Sequence, residues 1–282
     1  MTVKTTKKEL LDVLDLKNKT TSKLGLVPTM GALHKGHFSL IDQAVKECDL
    51  VVVSIFINPT QFDNSSDLEK YPKNLHNDLE KLEEFQSELI VFAPSTSEIY
   101  NGSLQVNHYD FEGLDRKMEG AFRQGHFDGV GTVLSKFFTL IQPDRAYFGE
   151  KDYQQLLIVK KLIQILNLPI QIVGCPISRE ENGLARSSRN ERLSPTQYHK
   201  ATLLYKSLCK AKEEFGTKSV AEISKAITLD FEKDLEFNLD YFTIANSKTL
   251  EPATQLKNGE KYRAFIAAFL GDVRLIDNMA LN

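Results

Sequence analysis

Short apolar runs alternate with amphipathic segments through the first two thirds of the chain. The runs at 24–27, 50–57 and 89–92 are typical of strands buried on both faces of a parallel sheet, and further strands are predicted at 145–148 and 169–173. Apolar residues at helical spacing predict helices at 9–17, from about 40, and at 66–86, 133–141 and 156–166. This alternation predicts an α/β fold, a doubly wound, Rossmann-like parallel sheet with its ligands outside the carboxyl ends of the strands.

The pattern changes after residue 175. Residues 178–194 are polar and rich in arginine, and two helical segments follow at about 195–215 and 219–235. Strand-like alternation at 239–245 and 262–270 flanks a turn signal, Asn258-Gly259. We therefore expect two domains: residues 1–175 as the doubly wound domain, and residues 176–282 as a smaller α+β domain.

The composition narrows the class of protein. The 282 residues, 41% of them hydrophobic, indicate a soluble globular chain, and the formal net charge of −3 disfavours a nucleic-acid partner. No apolar run approaches membrane-spanning length. No apolar segment follows the N-terminal lysines, so we expect no secretory signal. Cys48, Cys175 and Cys209 lack metal-ligand spacing, so we expect reduced thiols, no structural zinc and a cytoplasmic location.

The stretch PTMGALHKGHFSLI, at 28–41, has the pattern of a strand end, a tight turn and a helix start. A helix start presents unpaired backbone N–H groups and the positive end of the peptide dipoles, which together suit a phosphate. Gly31 and Gly36 lack the Cβ atoms that would hold a nucleotide away from the backbone. Because His34 and His37 are three residues apart, both imidazoles can face one phosphate group from the first helical turn.

Two further segments carry groups that suit a nucleotide. In Gly149-Glu150-Lys151-Asp152, at another predicted strand end, the lysine can meet a phosphate and the aspartate can cap a helix or accept from a ribose. In Arg186-Ser187-Ser188-Arg189 the guanidinium forks and hydroxyls suit a triphosphate. The structural alternative is an ordinary charged helical turn for the first segment and a solvated basic loop for the second.

Asn58 and Gln61 follow the second predicted strand, where open α/β sheets place substrate-binding loops. An amide can hold a hydroxyl and a carboxylate without adding charge. The residues alone give equal weight to a second interpretation, in which both side chains satisfy the local backbone around Pro59.

Three other features of the sequence could also belong to a functional site. The glycine-rich segment 119–133 lacks the third glycine of a dinucleotide fingerprint, so we do not predict an NAD site there. His126, inside that segment, is either a pocket residue or a structural hydrogen-bonding group. Asp78 and Glu80, on a charged helix, are predicted to be solvated surface, with magnesium–pyrophosphate contacts as the less favoured alternative.

His-Lys-Gly-His is an instance of the HxGH signature of the nucleotidylyltransferase and class I aminoacyl-tRNA synthetase-like superfamily. Its surroundings, with FGEKDYQQ at 148–155, resemble the pantothenate synthetase family, and the SSR loop is similar to the KMSKS-like loop of the superfamily. RQGHFDGV at 123–130 is also similar to a family segment, which has proline where this chain has Gln124. The family usually has Met or Leu at the position of Arg186, so the resemblance leaves the role of that side chain open.

The resemblance implies an ATP-dependent ligase that condenses pantoate with β-alanine to pantothenate through a pantoyl adenylate, releasing AMP and pyrophosphate. It implies His37, His34 and Lys151 as catalytic residues, and Gln61, Gln155 and Asn58 as pantoate-binding residues. The residues expected to contact ATP are Pro28, Thr29, Met30, Gly31, Ala32, Leu33, His34, Lys35, Gly36, His37, Gly149, Glu150, Lys151, Asp152, Ser178, Arg186, Ser187, Ser188 and Arg189.

The resemblance also bears on cofactors and partners. Mg2+ is expected on the β- and γ-phosphates of ATP, with its protein ligands undetermined, and no organic cofactor is expected. The partners are the small-molecule substrates, with no nucleic acid and no membrane, and a homodimer is implied.

Two other functions stay open from the sequence. A different HxGH nucleotidyltransferase would move a nucleotide onto a phosphate ester and would need no amine. A nucleotide-sensing binding protein would bind ATP without releasing pyrophosphate, although the intact HxGH, GEKD and SSR segments argue against it.

Overall fold

The computed structural model describes residues 1–18, 23–62, 68–69, 71–85 and 89–282, without the side chains of residues 17 and 18. The chain forms two compact units. The first comprises Met1–Glu150 and Gln154–Pro176, and the second comprises Lys151–Tyr153 and Ile177–Asn282. Lys151 therefore belongs to the same unit as the C-terminal part of the chain.

A six-stranded parallel sheet is the centre of the first unit. Its strands are β1 (Thr2–Lys4), β2 (Leu24–Thr29), β3 (Leu50–Ile55), β4 (Leu89–Phe92), β5 (Arg145–Gly149) and β6 (Gln171–Cys175), in the order β1-β4-β3-β2-β5-β6. β2 pairs with β3 on one side and with β5 on the other. Because the strand order reverses at β2 and β5, the loops that follow these strands flank the switch point where doubly wound sheets bind ligands.

Helices cover this sheet. They are α1 (Lys7–Asn18), α2 (Lys35–Glu47), α3 (Leu75–Leu82), α4 (Thr96–Tyr100), α5 (Met118–Phe122), α6 (His126–Ile141) and α7 (Tyr153–Ile165). Ile41 and Ala44 of α2 are fully buried in a cluster with Val27 of β2 and Val53 of β3. Burying an isoleucine or valine side chain stabilises the fold by roughly 1.5–3 kcal/mol, and the smaller Ala44 contributes less. This packing holds α2 and the residues before it against the sheet.

The second unit combines helices with an antiparallel sheet. Its elements are α8 (Pro195–Lys200), α9 (Thr202–Glu214), α10 (Val220–Glu232), β7 (Phe237–Asn246), β8 (Tyr262–Leu270) and β9 (Val273–Ala280), and the sheet order is β7-β8-β9. Leu208 of α9 and Ile227 of α10 pack with Ile244 and Ile266 of the sheet in one core. Capping boxes at Ser194 and Ser219 start α8 and α10.

The predicted doubly wound parallel sheet and the α+β character of the C-terminal part are confirmed. The helix predicted at 66–86 is wrong in extent: residues 68 and 69 are helical, but residues 71–74 are not, and α3 spans Leu75–Leu82. Pro72 disfavours helix in the residue before it, and Asn74 caps α3 by accepting from Asn77 N (3.1 Å). Residues 66, 67, 70 and 86 of that prediction lie outside the described residues.

Other boundaries also differ from the predictions. The helix predicted at 133–141 begins at His126, so Gly129 and Gly131 lie inside α6. The segment at 195–215 divides into α8 and α9, and the strands β1 and β9 were not predicted. β1 has only three residues, and β9 contains two buried polar residues that interrupt its apolar pattern.

In the part of the chain that the structure describes, no helix has the length and apolar character needed to cross a lipid bilayer.

Candidate functional site

The HxGH residues lie in the turn after β2 and in the first turn of α2. Gly31 and Ala32 both have positive φ angles, +83° and +50°. The left-handed conformation is unusual for alanine, so neighbouring groups must stabilise this turn. His34 is the N-cap of α2, and it forms a reciprocal capping box with His37.

Hydrogen bonds orient both imidazoles. His34 Nδ1 accepts from Gly36 N (3.0 Å), and His37 Nδ1 accepts from His34 N (3.3 Å). A ring nitrogen that accepts a backbone N–H carries no proton, so each neutral imidazole has its proton on Nε2. The ring centroids are 4.2 Å apart. The helix start therefore presents two Nε2–H donors close together, as the three-residue spacing predicts.

Asp78 of α3 holds the turn from the side. Its carboxylate accepts from Ala32 N (2.9 Å) and Leu33 N (2.7 Å), and Lys81 one turn later donates to Leu33 O (2.8 Å). Asp78 is only 2% exposed, so the expectation of a solvated surface residue is wrong. Glu80 does lie at the surface, within 3.3 Å of His76. Because Asp78 already occupies the N–H groups of Ala32 and Leu33, ATP contacts of these two residues would have to use other atoms.

Asn58 is buried inside a network of the first unit. Its Oδ1 accepts from Tyr100 OH (2.6 Å) and Thr60 Oγ1 (3.0 Å), and its Nδ2 donates to Gly129 O (3.1 Å) and Gln61 Oε1 (3.2 Å). Burial raises the pKa of the Tyr100 phenol, so this hydroxyl stays protonated as a donor. These bonds favour the structural interpretation of Asn58, whose amide fixes the conformation of the Pro59–Gln61 turn.

Hydrogen bonds to two neighbours help to position Gln61. Its Nε2 donates to Met30 Sδ (2.6 Å), and its backbone carbonyl accepts from His126 Nδ1 (2.7 Å). A Cβ added at Gly129 would lie only 2.2 Å from Thr60 O, so α6 approaches this turn as closely as a glycine allows. His126 is buried, and its bond to Gln61 O favours the structural one of its two predicted roles.

The GEKD segment ends β5 and forms a short 3-10 helix, Glu150–Asp152. Lys151 Nζ lies 3.6 Å from Asp152 Oδ1, and its side chain is mostly buried. Gln154 is a structural anchor, since its Nε2 donates to Leu114 O and Lys117 O (both 2.7 Å). Gln155, the predicted pantoate ligand, is half-buried in the first turn of α7.

The predicted SSR loop follows a short hairpin in the second unit. Arg186 N donates to Ser178 O (3.0 Å), and the Arg186 side chain donates to Ser178 Oγ (2.9 Å) and Glu180 Oε2 (3.0 Å). Arg186 thus does not face solvent, and it braces the hairpin. Ser187 caps the 3-10 helix Ser188–Arg192 by accepting from Arg189 N (3.3 Å).

A cavity of about 520 Å3 lies beside the HxGH turn, at the carboxyl ends of β2, β3 and β4. Met30, Gly31 and Asp78 contribute to its wall, with an apolar side from Ile55 and Phe56. The turn thereby has an open face within the first unit.

The buried cysteines are poor nucleophiles. Burial raises the pKa of the Cys175 thiol to about 12, and burial likewise raises the pKa of the Cys48 thiol. Both therefore stay protonated near neutral pH, where a thiol is unreactive.

A doubly wound sheet with a histidine-capped helix after its switch-point strand defines the class, a nucleotide-binding α/β protein of the HxGH type. The pantoate-beta-alanine ligase family model matches residues 2–280, and the chain belongs to that family. Its reaction is the ATP-dependent ligation of pantoate and β-alanine.

Individual relatives agree with this assignment. A pantothenate synthetase of Christiangramia forsetii is 52% identical over 98% of both chains. The crystal structure of pantothenate synthetase from Thermus thermophilus matches with a TM-score of 0.90 and 41% identity, over 100% of this chain and 99% of that one. The ligase from Francisella tularensis, complexed with beta-gamma ATP and β-alanine, matches with a TM-score of 0.82 and 34% identity, over 100% and 98%.

Sequence reasoning missed the residues that hold the motif turn. Asp78 and Lys81 are about 45 positions from the turn along the chain, so no local pattern links them to it. A signal was present, however: Asp78 is three residues after Leu75 and four before Leu82, on the apolar side of α3, whereas Glu80 is not.

Proposed function

We propose that the chain makes pantothenate in two steps at the HxGH turn, with His34 and His37 as the phosphate-binding pair. The observation that carries this assignment is the orientation of the two rings. Both Nδ1 atoms accept backbone N–H groups, so both Nε2–H groups are donors at the start of α2. Paired donors at a helix start suit the negative charge of a phosphate.

In the first step a carboxylate oxygen of pantoate attacks the α-phosphorus of ATP. The bond to the bridging oxygen breaks, and pyrophosphate leaves with the electron pair. Negative charge moves onto the phosphate oxygens during this in-line displacement, and fixed donors stabilise that charge without having to reorganise. The His34 and His37 Nε2–H groups take this role as hydrogen-bond donors.

In the second step the neutral amine of β-alanine attacks the acyl carbon of pantoyl adenylate. The C–O bond to AMP breaks, AMP leaves with the electron pair, and the amine loses a proton. A free carboxylate resists this attack because oxide is a poor leaving group, and adenylation removes that obstacle.

The remaining residues bind the substrates. Lys151, Ser187, Ser188 and Arg189 supply charged and neutral donors for the phosphates of ATP. The other ATP contacts are assigned to Pro28, Thr29, Met30, Gly31, Ala32, Leu33, Lys35, Gly36, Gly149, Glu150, Asp152, Ser178 and Arg186. Gln61 and Gln155 hold pantoate, and Asn58 supports Gln61 through the bond from its Nδ2 to Gln61 Oε1.

The carboxylates near the turn do not suit a dedicated metal site. Asp78 is committed to two backbone N–H groups, and among the described residues no three His, Cys, Asp or Glu side chains lie close enough to hold a metal ion. We therefore propose that Mg2+ binds through the β- and γ-phosphates of ATP, where it would neutralise phosphate charge. A homodimer and a cytoplasmic location complete the proposal.

Pyrophosphate release from ATP and Mg2+, followed together with AMP and pantothenate, tests this function. With pantoate alone we expect about one equivalent of pyrophosphate per site, because the adenylate stays bound, and with β-alanine we expect sustained turnover. Sustained turnover, beyond one equivalent per site, that needs no amine would favour a nucleotidyltransferase acting on phosphate esters. ATP binding without any release would favour a nucleotide-sensing protein, and either result would overturn the proposal.

A further inference from the structure

Two adjacent polar residues of β9 are buried on opposite faces of the antiparallel sheet. Asp277 and Asn278 are 4% and 2% exposed, in a strand whose neighbours Val273 and Leu275 pack in the apolar core. Successive side chains of a strand point to opposite faces. Buried polar groups lower stability unless they are hydrogen-bonded, so the partners of these two residues are informative.

Asp277 holds the hairpin that precedes the SSR loop. Its carboxylate accepts a fork of two bonds from Arg179, at 2.6 and 3.0 Å. Arg179 also donates to Gly183 O (3.0 Å) and lies over the Tyr205 ring, 4.5 Å from its centroid. Burial raises the pKa of the Asp277 carboxyl, and the bonds from Arg179 oppose that shift. A bidentate pair of this kind fixes direction as well as distance.

Asn278 holds the turn that carries Lys151. Its Nδ2 donates to Lys151 O (2.8 Å), and its Oδ1 accepts from Arg263 on β8. Arg263 in turn lies over the ring of Tyr153, 4.0 Å from its centroid. Residues 151–153 are thus attached to this sheet at two points, which explains why they group with the second unit.

We propose that Asp277 and Asn278 are positioning residues, which hold the Ser187–Arg189 loop and the Lys151 turn in a fixed relation for binding one triphosphate. This inference rests on the proposed function, since it takes both segments to contact phosphates. Strand β9 links the two segments. The hairpin before the Ser187–Arg189 loop is attached to one face of the strand through Arg179 and Asp277. The Lys151 turn is attached to the other face through Asn278. A small displacement of either segment would separate donors that must reach the same ligand.

Asn278→Asp is the variant that tests the inference. It keeps the size of the side chain and an oxygen for Arg263, but it replaces the donor to Lys151 O by a second oxygen. We expect a higher KM for ATP and a loss of up to about 10²-fold in single-turnover pyrophosphate release with pantoate. The reaction of pre-formed pantoyl adenylate with β-alanine, which needs no triphosphate, should keep its wild-type rate.

A double-mutant cycle separates positioning from general damage. If Asn278 acts through Lys151, then Asn278→Asp should have little further effect in a Lys151→Ala background. Asn278→Ala gives a second measurement should the aspartate variant fold poorly. Asn282→Asp is the matched control, because Asn282 also donates to a backbone carbonyl, Glu260 O (2.9 Å), but its oxygen accepts from Tyr262 N (2.7 Å). It should leave pyrophosphate release unchanged.

The outcomes are distinct. The inference would be overturned if the losses of the two single variants multiplied in the Asn278→Asp, Lys151→Ala double variant. It would also be overturned if Asn278→Asp slowed both half-reactions equally. In either case an active wild-type protein would leave the proposed function intact. A wild-type protein that releases no pyrophosphate would overturn the proposed function, and the positioning role would fall with it.

Discussion

Replacing His37 by alanine is expected to slow pantoate-dependent release of pyrophosphate by about 10²–10³-fold, the usual loss for one donor to a developing oxyanion. The reason is the geometry of the ring, which accepts from His34 N at Nδ1 and therefore donates from Nε2. The loss should fall on adenylate formation, measured by single-turnover release of pyrophosphate. Amine transfer from pre-formed pantoyl adenylate should be nearly unchanged.

Two further variants distinguish the capping role of His37 Nδ1 from the donor role of its Nε2–H group. In His37→Asn the side-chain oxygen can still accept from His34 N, but the distal donor is absent, so this variant should fold normally and be as slow as alanine. In His37→Gln the longer amide can place a donor near the position of Nε2, so part of the activity should return. If His37→Ala uses pre-formed pantoyl adenylate as poorly as it uses ATP and pantoate, the assigned role is wrong.

Asp78→Asn is expected to lower the free energy of unfolding by about 1.5–3 kcal/mol, measured by denaturant titration. The carboxylate accepts two backbone N–H groups, whereas an asparagine in the same place accepts one and sets its own N–H2 against the other. Because those N–H groups belong to Ala32 and Leu33, the turn before His34 should shift. Pyrophosphate release should then fall by about 10-fold to 10²-fold.

Glu80→Gln is the matched control, with the same loss of charge on the same helix. Its carboxylate is exposed, so the variant should stay within about 0.5 kcal/mol of wild type and keep full activity. A different role for Asp78 would give a different pattern. Unchanged stability, together with activity restored by raised Mg2+, would make Asp78 a metal-binding residue and would contradict its role in holding the turn.

The sequence predicts the parts of this protein that local chemistry determines. A glycine-containing turn between an apolar strand and a helix predicts the proposed His34 and His37 site, and continuous apolar runs identify the parallel strands. The same pattern cannot say which ring nitrogen carries the proton. That choice depends on which backbone N–H groups reach Nδ1, and so on the exact turn.

Contacts between distant parts of the chain limit the prediction. The charged sequence around Asp78 predicts an exposed side chain, but in the folded chain Asp78 contacts a turn 45 residues earlier. Asp277 and Asn278 interrupt the apolar pattern that would predict β9 as a strand. Their hydrogen-bond partners, Arg179 and Lys151, are about 100 or more residues away in the sequence. A polar residue within an otherwise apolar strand indicates a specific contact, because a buried polar group needs a hydrogen-bond partner.

Gly129 and Gly131 show the same limit for helices. Glycine lowers helix propensity, so the segment around these two glycines resembles a loop in sequence. The sequence pattern therefore does not predict that α6 starts at His126. In the structure each glycine permits a close approach, Gly129 to Thr60 O and Gly131 to the Tyr109 ring. The glycines thus mark contacts of α6 with its neighbours and leave the helix intact.

We expect this chain to activate pantoate by placing its carboxylate on the α-phosphorus of ATP. The most direct test uses pantoate labelled with oxygen-18 in its carboxylate, with unlabelled ATP, Mg2+ and β-alanine, and mass spectrometry of the products. We expect one labelled oxygen in AMP and none in pyrophosphate, because the bond broken in the second step is the acyl C–O bond. Label in pyrophosphate or inorganic phosphate, or AMP without label during pantothenate formation, would contradict this expectation.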